Sequence, residues 1–225
     1  MQVKKTKDMS MDNIKLKASV YGVAGSGKTT FGATFPNPIF LDMNKGLLSV
    51  RDKDVAYVEL YTSTFVEIKD ALDSAINSEY DSIIIDSMGE ISEACMRHIL
   101  QLNRRTKPEY SDWDSFFHGM KDFILKIRNC DKHVLCICHE GCEKDEGTGR
   151  LWYRPAFQGQ LRTKYDAYFD ELYHAEVEQV PGKATVYKLL ARPSGIFTAK
   201  SRLLRPTVKE SYLEPEFSKI MELAK

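Results

Sequence analysis

The chain has 225 residues, 43% apolar and 28% charged, with 13 Gly and 8 Pro. It is long enough to bury roughly 70% of its unfolded surface in one domain, and its composition excludes a disordered, collagen-like or low-complexity polymer. Lys plus Arg (32) equals Asp plus Glu (32), so no global field advertises a polyanionic partner and any nucleic-acid contact needs local patches.

The chain opens on a basic stretch, 1–13, without an apolar core of the kind a secretory signal needs. Residues 14–22, IKLKASVYG, alternate and then turn apolar, which predicts a strand entering a buried sheet. A helix follows GVAGSGKTT and stops before Pro36, because the residue before proline is pushed out of the helical region. Strands are expected at 38–42 and 55–60. A helix follows at 64–76, with apolar residues at helical spacing and Thr64 or Ser63 as N-cap. Next come a strand at 81–87, helices at 90–102 and 113–129, and a buried strand at 132–138 that includes VLCIC. That run is far short of the ~20 apolar residues that span a bilayer. Residues 140–164 read as a polar loop, 166–180 and 183–193 as late strands, and 206–225 as a tail ending in a helix. Five cysteines without a secretory signal read as reduced thiols. A soluble, cytoplasmic protein with no membrane partner is expected. Its fold is α/β, with a mostly parallel central sheet and helices on both faces.

Gly22-Val23-Ala24-Gly25-Ser26-Gly27-Lys28-Thr29 matches G-x-x-x-x-G-K-[ST] and lies between a predicted strand and helix, with Thr30 following. Glycines let the backbone wrap a phosphate, Lys28 reaches the β- and γ-phosphates, and the Thr29 hydroxyl ligates magnesium. The strand Ile83-Ile84-Ile85 ends at Asp86, placed to anchor the same ion. ATP and magnesium are the expected cofactors.

With these motifs in order, the chain resembles the RecA-like P-loop ATPases, in particular the small phage ATPases linked to single-strand annealing and recombination. The resemblance spans roughly 14–205 and includes the PIFLDMNKG turn, VLCICHE and the terminal Lys200-Ser201-Arg202. It implies a single core at 14–205 and a homo-oligomer, ring or filament, in which Lys200 and Arg202 reach the neighbour's nucleotide. Solvated surface cations are the alternative for that pair. It also implies single-stranded DNA as partner, a single-strand DNA-binding protein as helper, and a bacterial host cytoplasm if the gene is phage-borne. Relatives usually carry a catalytic Glu where this chain has Asn44, so ATP is expected to act as a switch or to be hydrolysed slowly. Asp42 is the nearest substitute base and Glu59 a remoter one, although Asp42 also reads as a turn former. His139, after the strand between the two Walker strands, is placed to sense the γ-phosphate.

Cys136, Cys138, His139 and Cys142 lack the paired spacing of a structural zinc site. Cys136 and Cys138, two apart on a strand, read as core. DNA candidates are Arg104, Arg105 and Lys107 in one loop. A second stretch supplies Arg150, Trp152, Tyr153, Arg154, Arg162 and Lys164, cations and aromatics that suit phosphates and stacked bases. Glu140, Glu143, Asp145 and Glu146 make the start of that stretch acidic. A helicase loader or regulatory switch with a protein partner is the alternative function, and a small-molecule phosphotransferase a third.

Overall fold

The computed structural model describes residues 14–179, 181–182, 184–205 and 207–224. The basic tail expected at 1–13 lies outside the described residues. The strands are β1 (Lys17–Gly22), β2 (Pro38–Asp42), β3 (Ala56–Glu59), β4 (Ser82–Asp86), β5 (His133–Lys144), β6 (Leu151–Pro155), β7 (Glu171–Glu178), β8 (Val186–Leu190), β9 (Lys200–Ser201) and β10 (Tyr212–Leu213). The helices are α1 (Lys28–Gly32), α2 (Phe65–Ile76), α3 (Met88–Leu102), α4 (Tyr110–Asn129), α5 (Leu161–Lys164) and α6 (Phe217–Leu223).

The sheet order is β10-β8-β7-β1-β5-β4-β2-β3, with β6 added to β5 and β9 to β7. From β7 to β3 every neighbouring pair is parallel, while β8, β9 and β10 run antiparallel. The apolar run at the centre explains this. β1, β2 and β4 are buried along their whole length, as parallel strands covered on two faces must be. Side chains alternate between the faces, so Ile83 and Ile85 join one core with α2, α3 and α4, while Ile84 joins a second with α1, Phe40 and Ile220 of α6. The α/β architecture expected from the sequence is the one observed.

Local signals set most element ends. Thr64 caps α2 in a reciprocal box with Glu67. α4 starts earlier than its apolar period suggests, because Glu109 and Asp112 cap each other's backbone. α1 ends at Gly32, well before Pro36.

Residues 140–164 are not a loop. β5 continues to Lys144 and pairs antiparallel with β6 from Glu140↔Pro155 to Lys144↔Leu151. This hairpin projects past the sheet, with both faces half in water, so it has no apolar alternation to read. Residues 165–168 form a 3₁₀ turn rather than the start of a strand. The stretch after Arg205 carries the expected helix, but it also pairs β10 with β8 and packs Phe217 on Phe35, with ring centroids 4.7 Å apart. Cys136 and Cys138 are fully buried core residues. No helix among the described residues is long and apolar enough to cross a membrane.

Candidate nucleotide site

The carboxyl ends of β1, β2 and β4 lie together with the middle of β5, where His139 stands beside Gly22 of the glycine-rich loop. Gly22, the last residue of β1, permits a close approach: a Cβ there would lie 2.6 Å from the Ala175 carbonyl oxygen. Gly27 has φ 82°, and its Cβ would meet the Tyr187 ring at 2.8 Å. Only glycine fits both demands.

Lys28 is buried. Its Nζ donates to the carbonyls of Gly22 (2.8 Å) and Val23 (2.7 Å), so the ammonium ties the loop together as well as facing its hollow. Burial lowers its pKa, partly offset by the Asp86 charge. The Thr29 hydroxyl donates to Asp86 Oδ2 at 2.8 Å. Burial raises the Asp86 pKa against that hydrogen bond, so a cation here would relieve a desolvated carboxylate. A hydroxyl beside a carboxylate, both hard oxygen donors, fits magnesium, which takes one or two protein oxygens and completes its shell with phosphate and water. Among the described residues no group of three or more His, Cys, Asp and Glu could hold an ion by itself. Thr29 and Asp86 would hold the ion, which supplies charge neutralisation for the phosphates.

Asp42 is a turn former. Its Oδ1 accepts from the Asn44 and Gly46 amides (3.0 and 3.4 Å) and its Oδ2 from the Tyr61 hydroxyl (3.1 Å). Glu59 ends the edge strand β3, beyond β2. β5 lies between β1 and β4, in the register Gly22↔His139 and Asp86↔Ile137, so His139 stands where the sequence reading places it. A carboxylate that no sequence motif marks stands beside it. Glu90, on the first turn of α3, accepts from the Ser87 hydroxyl and lies 3.9 Å from His139 Nε2. The Asn44 amide orientation that satisfies its neighbours donates to Glu90 Oε1 at 3.1 Å. In the sequence, Ser87-x-x-Glu90 looks like an ordinary capping pattern, which hides it.

The DNA candidates divide. Arg104 and Lys107 are exposed. Arg105 is committed: it bonds both oxygens of buried Asp112 (3.0 and 2.9 Å) and pairs with Glu109 (2.9 Å). On the hairpin, Arg150 stacks on Trp152 at 4.1 Å and donates to the Gly195 carbonyl. Tyr153 packs against Phe197 with ring centroids 5.1 Å apart, and its carbonyl accepts from Tyr21. Arg154 and Arg162 both face Glu143, at 3.8 and 3.0 Å. Lys164 bonds Gln160 and lies 4.6 Å from the Phe117 ring centroid, so the segment after the hairpin packs beside α4. A cleft of about 360 Å³ runs from Glu90 and His139 to Arg154 and Arg162.

Lys200 and Arg202 sit at the other end of the parallel strands. Lys200 pairs opposite Leu172, near the start of β7, and donates to the Asp166 carbonyl. Arg202 binds Asp170 at 2.8 Å.

A family model described as an AAA domain matches residues 14–203. A solved KaiC-like protein from the hyperthermophilic archaeon Pyrococcus horikoshii is similar with a TM-score of 0.46 at 14% identity, over 78% of this chain and 77% of that one. No curated protein matches.

Proposed function

Because the chain belongs to the AAA domain family over residues 14–203, as a P-loop ATPase, we propose that it binds ATP with magnesium and acts on single-stranded DNA. The setting is phage-type recombination or annealing, and the working form is a ring or filament of identical subunits. Gly22 to Thr30 cradle the phosphates, with Lys28 on the β- and γ-phosphates and Thr29 and Asp86 on the metal. His139 senses the γ-phosphate. Arg104, Lys107 and the β5–β6 hairpin with its Arg150–Trp152 stack meet DNA. Lys200 and Arg202 reach toward a neighbouring subunit. A single-strand DNA-binding protein is the expected helper, in a bacterial host cytoplasm.

One observation carries this reading. The strand that passes the glycine-rich loop at His139 continues without a break into the hairpin. A push at the γ-phosphate position therefore acts at the hairpin's root, which couples a nucleotide state to a cation-bearing arm.

A second reading, a switch or helicase loader working through a protein partner, draws on the internal pairing of Arg105, Arg154 and Arg162. The test is ATP hydrolysis with and without single-stranded DNA, alongside a gel shift with and without ATP. Stimulation with an ATP-sensitive shift supports the DNA reading. Absence of both rejects it in favour of the partner protein.

A further inference from the structure

We propose that Glu90 is the general base for ATP hydrolysis, doing the work of the carboxylate that Asn44 replaces. The inference rests on the nucleotide reading above.

Residues beside three strands bracket the Glu90 carboxylate. Asn44, two residues past β2, donates to it at 3.1 Å; Ser87, directly after β4, donates its hydroxyl; and His139, midway along β5 beside Gly22, lies 3.9 Å away. The same turn lines the metal position, since a Cβ on Gly46 would lie 3.6 Å from Asp86 Oδ2 and 3.9 Å from Thr29 Oγ1. Glu90 is thus held between the turn that lines the metal position and His139, the register partner of Gly22, and it opens onto the cleft.

The competing carboxylates are occupied or lack these partners. Asp42 spends both oxygens on its own turn and on Tyr61. Glu140 binds His174 at 2.7 Å. Glu93, three residues further along α3, lines the same cleft but is exposed and has no hydrogen bond or ion pair among the described residues. A purely helix-capping role for Glu90 also fails, because α3 has no side-chain bond to its N-terminal backbone amides.

In the step, Glu90 takes a proton from water as the water oxygen bonds to the γ-phosphorus and the bond to the bridging oxygen breaks. ADP and phosphate leave, and the proton departs from Glu90 with the product. Asn44 donates to the carboxylate and positions it, a job an amide performs and a second carboxylate beside it would oppose.

The experiment compares wild type, Glu90→Gln, Glu90→Ala and Glu93→Gln for equilibrium binding of a fluorescent ATP analogue and for single-turnover hydrolysis. Glu90→Gln should bind within threefold of wild type and hydrolyse roughly 10²–10⁴-fold more slowly. Glu93→Gln should both bind and hydrolyse within threefold of wild type. Glu90→Ala should regain at least tenfold of its lost rate with added formate, which a packing role would not produce. Hydrolysis by either Glu90 variant within threefold of wild type overturns the proposal, as does loss of nucleotide binding in Glu90→Gln. A folded wild type that binds no nucleotide overturns the nucleotide reading instead.

Discussion

Thr29 Oγ1 donates to Asp86 Oδ2 at 2.8 Å, closing a contact between a helix start and a strand end 57 residues apart. This bond prearranges the two oxygens that would share a magnesium ion. Thr29→Ala and Asp86→Asn should each weaken magnesium-dependent nucleotide binding by about tenfold or more, the scale of one hydrogen bond to a charged group. The double variant should fall short of the sum, because the residues act as a unit. Nucleotide titrations across a magnesium series check both points.

Gly27→Ala should distort the loop through its φ of 82° and through the Tyr187 ring, 2.8 Å from the new Cβ. Destabilisation of ~1–2 kcal/mol is expected from the left-handed backbone alone. Adding Tyr187→Ala should relieve the ring contact but not the backbone cost, so melting temperature should recover only in part. Thermal unfolding of the single and double variants reads this directly.

The cations of the α3–α4 loop should separate by role. Arg105→Ala should lower the melting temperature more than Arg104→Ala or Lys107→Ala, since it deserts buried Asp112. Arg104→Ala with Lys107→Ala should spare stability and lower affinity for single-stranded DNA. The log–log salt slope should flatten by about 1.4, at ~0.7 per phosphate contact. An unchanged slope would remove this loop from the DNA surface.

His133 accepts a hydrogen bond from the Leu16 amide at 3.1 Å. Burial, helped by the Lys15 and Lys17 charges against Asp81 and Asp131, lowers its pKa from 6.5 to about 4. The unfolded chain therefore binds this proton more readily than the folded one. The stability it contributes is present above pH 6.5 and is lost as pH falls toward 4. His133→Gln should flatten the acid limb over that window, as read from urea midpoints.

Arg202 tests the subunit arrangement. Mixed assemblies of Arg202→Ala and Lys28→Ala chains should regain partial hydrolysis that neither has alone, because some interfaces pair an intact loop with an intact arginine. Normal hydrolysis by Arg202→Ala in the presence of DNA would leave the residue its observed partner, Asp170, and no role in trans.

The elements that could be read in the sequence are those whose causes are local. The Thr64–Glu67 cap, the buried runs of β1, β2 and β4 and the glycine-rich loop each depend on neighbours a few residues away, and each lies where its spacing puts it. The place of His139 between the two Walker strands was also legible, although β5 runs on through it to Lys144 instead of ending before it. The hairpin of β5 and β6 was not. Both its faces meet water, and water leaves no apolar period. Nor could the sequence assign Arg105 to Asp112 rather than to a phosphate, since one cation serves either partner and only burial of the carboxylate decides between them. Glu90 marks the same limit at the candidate site. Its meeting with Asn44 and His139 joins the first turn of α3 to the turn after β2 and the middle of β5, and that contact exists only once the sheet has aligned them.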